Sequence, residues 1–287
     1  PAEGPALPLG HRFSFSENCP YFPCLTSGVH SICTTGSVMV PCPWFPEMAA
    51  IARHRPDFDL GVHLTLTSEM PGYRWRPLTG VSANGLTDPD GFFWPDAHSA
   101  RRARPEAVEL EMRAQIDAAL AAGIDVTHLD SHMGTVMMPE FLAIYLRLGE
   151  EYRLPILMPR NIVEIAPQGA HGAAAQYDQA IERTVARGNP DFIQFCQTPW
   201  GNAGDVEAAY SALFAACGPG LSWIALHFTS PGDIEFISTD AAIRIAEYDL
   251  FKSGRGKALM DAAGLELVGM RGFRDRLRAS SNDGFSP

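Results

Sequence analysis

Residues 105–134 read PEAVELEMRAQIDAALAAGIDVTHLDSHMG, a helix pattern running straight into a strand pattern. Pro105 suits a first helical turn, and Glu106, Glu109 and Glu111 favour the positive end of the helix. Val108, Met112, Ile116 and Leu120 recur every four residues, which predicts one apolar face over Pro105–Ala122. Gly123 then supplies the residue that ends a helix most readily. Ile124–Asp130 follows as a strand, and a period of two places His128, Asp130 and His132 on one face.

The same alternation continues on both sides of this unit. Further strands are expected at Thr34–Val40, Leu60–Leu66, Leu154–Met158, Phe192–Phe195, Ser222–Phe228 and Leu265–Met270. Helices are expected at Pro46–Arg53, Pro139–Tyr152, Ala173–Ala186, Val206–Ala216 and Asp240–Phe251. Repeated strand–helix units imply parallel strands joined by crossover helices, hence a doubly wound sheet or a (β/α) barrel. No internal repeat is visible, and the 287 residues read as a single domain. One long helix-poor stretch, Ser68–Arg104, carries Tyr73, Trp75, Phe92, Phe93 and Trp94. A loop of that length is usually functional, so it is expected to cover a site. Its aromatic rings could stack on sugars or anchor the loop.

Composition narrows the partners. Lys and Arg total 22 against 33 Asp and Glu, a net charge of −11, which argues against nucleic acid. Hydrophobic residues at 46% are ample for a core, yet no apolar run reaches membrane-spanning length. The first ten residues lack the cationic start and apolar stretch of a signal peptide, so a cytoplasmic protein is expected. Cys19, Cys24, Cys33 and Cys42 share no zinc-knuckle spacing, and Cys196 and Cys217 stand apart; reduced, mostly buried thiols are expected.

Chemistry concentrates at three strand ends. His63 sits in Gly61-Val62-His63-Leu64, His227 in Leu226-His227-Phe228, and the third is Thr127-His128-Leu129-Asp130-Ser131-His132. Imidazole and carboxylate side by side are costly to bury without partners and are ligands for zinc or related ions. In parallel α/β folds the carboxyl ends of the strands form the site, which brings the three together. The sequence contains no Gly-x-Ser-x-Gly, no P-loop, no Rossmann glycine fingerprint and no His-Glu-x-x-His. A metal-dependent phosphoesterase would need more ligands and a cationic clamp.

These segments, with Thr34-Thr35-Gly36-Ser37-Val38-Met39-Val40, resemble the YdjC-type carbohydrate deacetylases, which include chito-oligosaccharide deacetylase. The resemblance implies a distorted (β/α) barrel-like fold with parallel strands and outer helices. It implies one divalent ion, zinc or magnesium, held by an Asp and two His that match His63 and His132. A later His, matching His227, would protonate the leaving amine; in the family Pro usually follows it, and here Phe228 does. His128 and Asp130 would orient ligands or touch substrate.

The departure lies at the first strand, where the family carries Asp-Asp-Phe-Gly. The best match here is His11-Arg12-Phe13-Ser14, so His11 and Arg12 align with the missing carboxylates, and no Asp precedes Asp57. The expected function is removal of N-acetyl groups from amino sugars or their oligosaccharides, impaired by that replacement. The alternative is an inactive sugar-binding or regulatory homologue of the same fold. A small carbohydrate is the expected partner, without membrane or nucleic acid, and a homo-oligomer is left open.

Overall fold

The computed structural model describes residues 8–13, 33–80, 84–165 and 171–280; for 8–13 and residue 171 only the backbone is described. Within these residues the strands are β1 (Pro8–Phe13), β2 (Gly36–Val38), β3 (Leu60–Leu64), β4 (Val126–Ser131), β5 (Phe192–Gln197), β6 (Leu221–Leu226) and β7 (Glu266–Leu267). The longer helices are α1 (Phe45–His54), α2 (Pro105–Ala121), α3 (Pro139–Tyr152), α4 (Ala174–Ala186), α5 (Val206–Ala215), α6 (Ala241–Lys252), α7 (Arg255–Ala262) and α8 (Arg271–Ser280). Every strand pairing is parallel, so this is an α/β fold with crossover helices.

The ladders form two arcs rather than one closed ring, ordered β5-β6-β1-β7 and β2-β3-β4. On one side β1 lies against β2. On the other the gap is crossed by the segment expected as strand Leu154–Met158. It makes only a bridge, with Leu129 N–H donating to Pro155 O (2.9 Å) and Leu157 N–H to Leu129 O (3.0 Å). Pro155 and Pro159 lack N–H groups, so a continuous ladder cannot form there. Arg160 N–H then donates to Phe192 O at 2.9 Å, reaching β5.

β6 shows why its sequence is apolar throughout. Trp223 and Ala225 pack inward with Leu157, Phe192 and Met270. Ile224 and Leu226 pack outward with Tyr248, Phe251 and Met260. Both faces are buried, as a helix-covered parallel strand requires. Each large side chain so buried contributes about 1.5–3 kcal/mol.

α2 departs from its expected face in two ways. Val108, Met112 and Ile116 are buried, but Leu120 is 42% exposed and Ala119 replaces it. Each four-residue step overshoots a full turn by about 40°, so three steps carry Leu120 off the face. Glu111 does not serve the helix dipole either. It is fully buried and accepts from Leu78 N–H (3.1 Å), Thr79 N–H (3.0 Å) and the Thr79 hydroxyl (2.7 Å). It thereby ties the loop after β3 to the helix.

That loop is packed rather than draped. Trp75 and Phe93 are buried, the Trp75 indole donates to Thr67 O (2.8 Å), and Ser68 N–H donates to Trp94 O (2.8 Å). The anchoring role holds for these two rings. Among the described residues no helix is long and apolar enough to cross a membrane.

Candidate functional site

β3 and β4 run in a register that sets His63 opposite Asp130. Both are fully buried, and His63 Nδ1 meets Asp130 Oδ1 at 2.5 Å. The second carboxylate oxygen accepts from the Ser37 hydroxyl of β2 at 2.9 Å. A carboxylate on Nδ1 fixes the ring and leaves Nε2 on its far edge, the usual arrangement behind a metal-ligating His. β4 ends at Ser131, and His132 opens a tight turn in which Met133 (φ 50°) and Gly134 (φ 66°) are left-handed. The turn keeps His132 beside His63, with ring centres 5.2 Å apart and edge to face. The Met133 side chain meets the Thr67 hydroxyl at 3.4 Å, supporting a backbone state that a non-glycine residue rarely adopts.

His132 lines a cavity of about 460 Å³, with Glu69, Trp200, His227, Asp240 and Arg244 among the other walls. A larger cavity, about 590 Å³ by Leu146 and Leu277, holds none of the histidines. Glu69 Oε2 lies 2.9 Å from His132 Nε2. His227 follows the last residue of β6, and its Nδ1 is 2.8 Å from the Thr198 hydroxyl. Trp200 is 38% exposed, and its ring centre is 4.9 Å from that of His227. The Arg244 guanidinium lies over the Trp200 ring, salt-bridged to Asp240 at 2.8 Å.

His63, Asp130, His132 and His227 are thus gathered at the carboxyl ends of the strands. His128 is a correction. It is buried two residues deeper on β4, its ring against Trp223 and its Nδ1 3.0 Å from the Thr127 hydroxyl, and it does not line the cavity. Two strand residues are about 6.6 Å, enough to take a side chain from the rim to the interior.

Gly61 makes room for it. A Cβ there would lie 2.4 Å from His128 Nε2. Gly61→Ala is therefore expected to cost about 1–3 kcal/mol in urea unfolding through overpacking. A change below about 0.5 kcal/mol, the scatter of surface substitutions, would contradict that account.

His11 and Arg12 lie in β1, opposite Ile224 and Ala225 of β6, with Phe13 opposite Leu226. Their backbone therefore ends level with the strand that delivers His227. The segment Pro20–Ser31 falls outside the described residues, as do Cys19 and Cys24. Cys33, Cys196 and Cys217 are thiols, partly buried, and Cys42 is buried.

Sequence reasoning missed Glu69, Thr198, Trp200 and Glu247. Glu69 and Trp200 lie in irregular segments where no period marks a face. Thr198 and Glu247 are ordinary until folding brings α6 against the end of β6. Glu247 is fully buried and accepts from the Thr198 hydroxyl (2.8 Å), the His227 backbone N–H (2.8 Å) and the Tyr210 hydroxyl. Burial pushes its carboxyl up to about 7 although these hydrogen bonds pull it down.

A parallel α/β scaffold with buried His–carboxylate pairs beside a cavity at its carboxyl strand ends defines a class built for small-molecule chemistry. Residues 24–262 match the model of the YdjC-like protein family, and the chain belongs to that family. A carbohydrate deacetylase of Thermus thermophilus is 36% identical over 216 residues, 75% of this chain and 75% of the relative. One of Brevibacillus brevis is 35% identical over 128 residues, 45% of this chain and 49% of the relative. A crystal structure from Enterococcus faecalis V583, assigned to cellobiose-phosphate cleavage, superposes with TM-score 0.72 at 21% identity. It covers 93% of this chain and 98% of its own, and it supports the fold alone. The family match starts beyond β1 and does not include His11 and Arg12.

Proposed function

We propose that this chain is a carbohydrate N-deacetylase whose activity is impaired at the first strand. The observation that carries the reading is His132 and His227 on the walls of one cavity, with the buried His63 ring packed edge to face behind His132, within a family whose relatives are named carbohydrate deacetylases. Family membership also implies a divalent ion. Two imidazoles, one with a carboxylate on its Nδ1, suit such an ion, and imidazole donors suit zinc better than magnesium. Among the described residues, no group of three His, Cys, Asp or Glu is arranged to hold it. Among the described residues the donor set is therefore two imidazoles without a further carboxylate ligand.

His63 and His132 would hold the ion, which supplies polarisation of the amide carbonyl and a water of lowered pKa. Asp130 keeps the His63 ring in place, and Ser37 keeps Asp130 in place. Glu69, the carboxylate at His132, is the candidate to take a proton from the attacking water where the family uses a first-strand Asp. His227 gives a proton to the departing nitrogen. Trp200 offers an exposed ring beside His227 on which a sugar face can lie. The 68–104 segment, which contributes Glu69 and Ala97 to the walls, would cover one side of the cavity.

The test is metal content of the purified protein together with acetate release from N-acetylated chito-oligosaccharides. Substoichiometric metal with slow acetate release is expected. Vigorous release would overturn the impairment. No metal, no acetate and retained oligosaccharide would favour the sugar-binding reading.

A further inference from the structure

We propose that Glu247, acting through Thr198, is a positioning residue that holds the neutral His227 ring in its Nδ1–H tautomer and favours the protonated ring. The inference rests on the reading of His227 as proton donor. A threonine hydroxyl has one proton, and Thr198 donates it to Glu247 Oε1 at 2.8 Å. Toward His227 Nδ1, also at 2.8 Å, Thr198 must therefore accept, so the ring proton sits on Nδ1. In the neutral ring Nε2 is then the nitrogen without a proton, on a residue that lines the cavity.

The carboxylate itself is held in place from several elements. The His227 backbone N–H fixes Oε2 from the end of β6, and the Tyr210 hydroxyl of α5 shares Oε1 with Thr198. Among the described residues the charged or titratable groups facing it are Arg244, one turn earlier on its own helix, Tyr210, and Cys33 from the segment before β2. Burial raises its proton affinity, whereas the hydrogen bonds from Tyr210, Thr198 and the His227 N–H, and to a smaller degree the charge of Arg244, lower it, with the balance at about 7. Above that pH the buried anion behind Thr198 favours a positive His227, and below it the anion is lost.

Glu247→Gln tests this because one group cannot adapt. The His227 backbone N–H must still be accepted, so the amide oxygen takes the Oε2 position and the NH₂ takes Oε1. Thr198 then accepts from that NH₂ and turns its own proton toward His227 Nδ1, which moves the neutral ring to the Nε2–H tautomer. The measurement is the ¹⁵N shifts of His-labelled protein across pH, with His227 assigned by loss of its signals in His227→Gln. At pH about 8.5 the unaltered chain is expected to show Nδ1–H. Glu247→Gln is expected to show Nε2–H, with the His227 pKa lower by about one pH unit or more. Thr198→Val should lose the Nδ1–H preference and Thr198→Ser should keep it, which separates positioning from mere packing. An unchanged tautomer and pKa in Glu247→Gln would overturn the proposal. Acetate release by His227→Gln equal to that of the parent would instead overturn the proton-donor reading on which it rests.

Discussion

Replacing His11 and Arg12 together by aspartate is expected to raise acetate release by about 10²–10⁴-fold, the range that a well-placed general base contributes. It should also raise bound metal toward one ion per chain. β1 pairs with the strand that delivers His227, with Arg12 opposite Ala225 and His11 opposite Ile224, two and three residues before His227. A permanent cation at that level opposes a dication. At an effective dielectric near 20, a unit charge about 4 Å away is disfavoured by about 8 kcal/mol, twice the unit-pair figure. On the proposed reading, the double replacement would remove the repulsion and supply a carboxylate ligand. The measurement is metal content by mass spectrometry beside acetate release, in both proteins. If neither rises, the first strand does not complete the site, and the deacetylase reading loses its explanation for the departure.

In that restored protein, His227→Ala should lower kcat by about 10²–10³-fold while leaving metal content unchanged. Its ring stands at the cavity wall on Thr198, and its proposed role is to carry a proton rather than to bind an ion. Loss of metal in this variant would make His227 a ligand instead. Undiminished turnover would assign the proton transfer to another group, with Glu69 first to be examined.

Much of the frame was legible before folding. The unit at 105–134 announced a parallel α/β protein, because a capped amphipathic helix running through Gly123 into an apolar strand has few other uses. The expected strand at 192–195 and helix at 139–152 match β5 and α3 within a few residues, since their boundaries are set locally by proline and by apolar period. Leu154–Met158 was legible as extended chain, while its failure to form a ladder came from two prolines whose effect depends on which neighbour needs an N–H. α7 and α8 were not expected; α8 is strongly charged, and only Arg274 among its described side chains is buried.

Residue type and short spacing were enough to pick out His63, Asp130, His132 and His227 near strand ends, and His11 and Arg12 in the first strand. Strand periodicity makes such features readable without a fold. Which groups act on one another was settled by folding. It set Asp130 on His63 and Glu69 on His132, buried His128 against Trp223, and brought Glu247 from 20 residues away onto the backbone of His227. A hydrogen bond or a shifted pKa depends on distances of a few ångströms and on the exclusion of water. Both are fixed by parallel register and helix packing between segments far apart in the chain, and no local pattern encodes them.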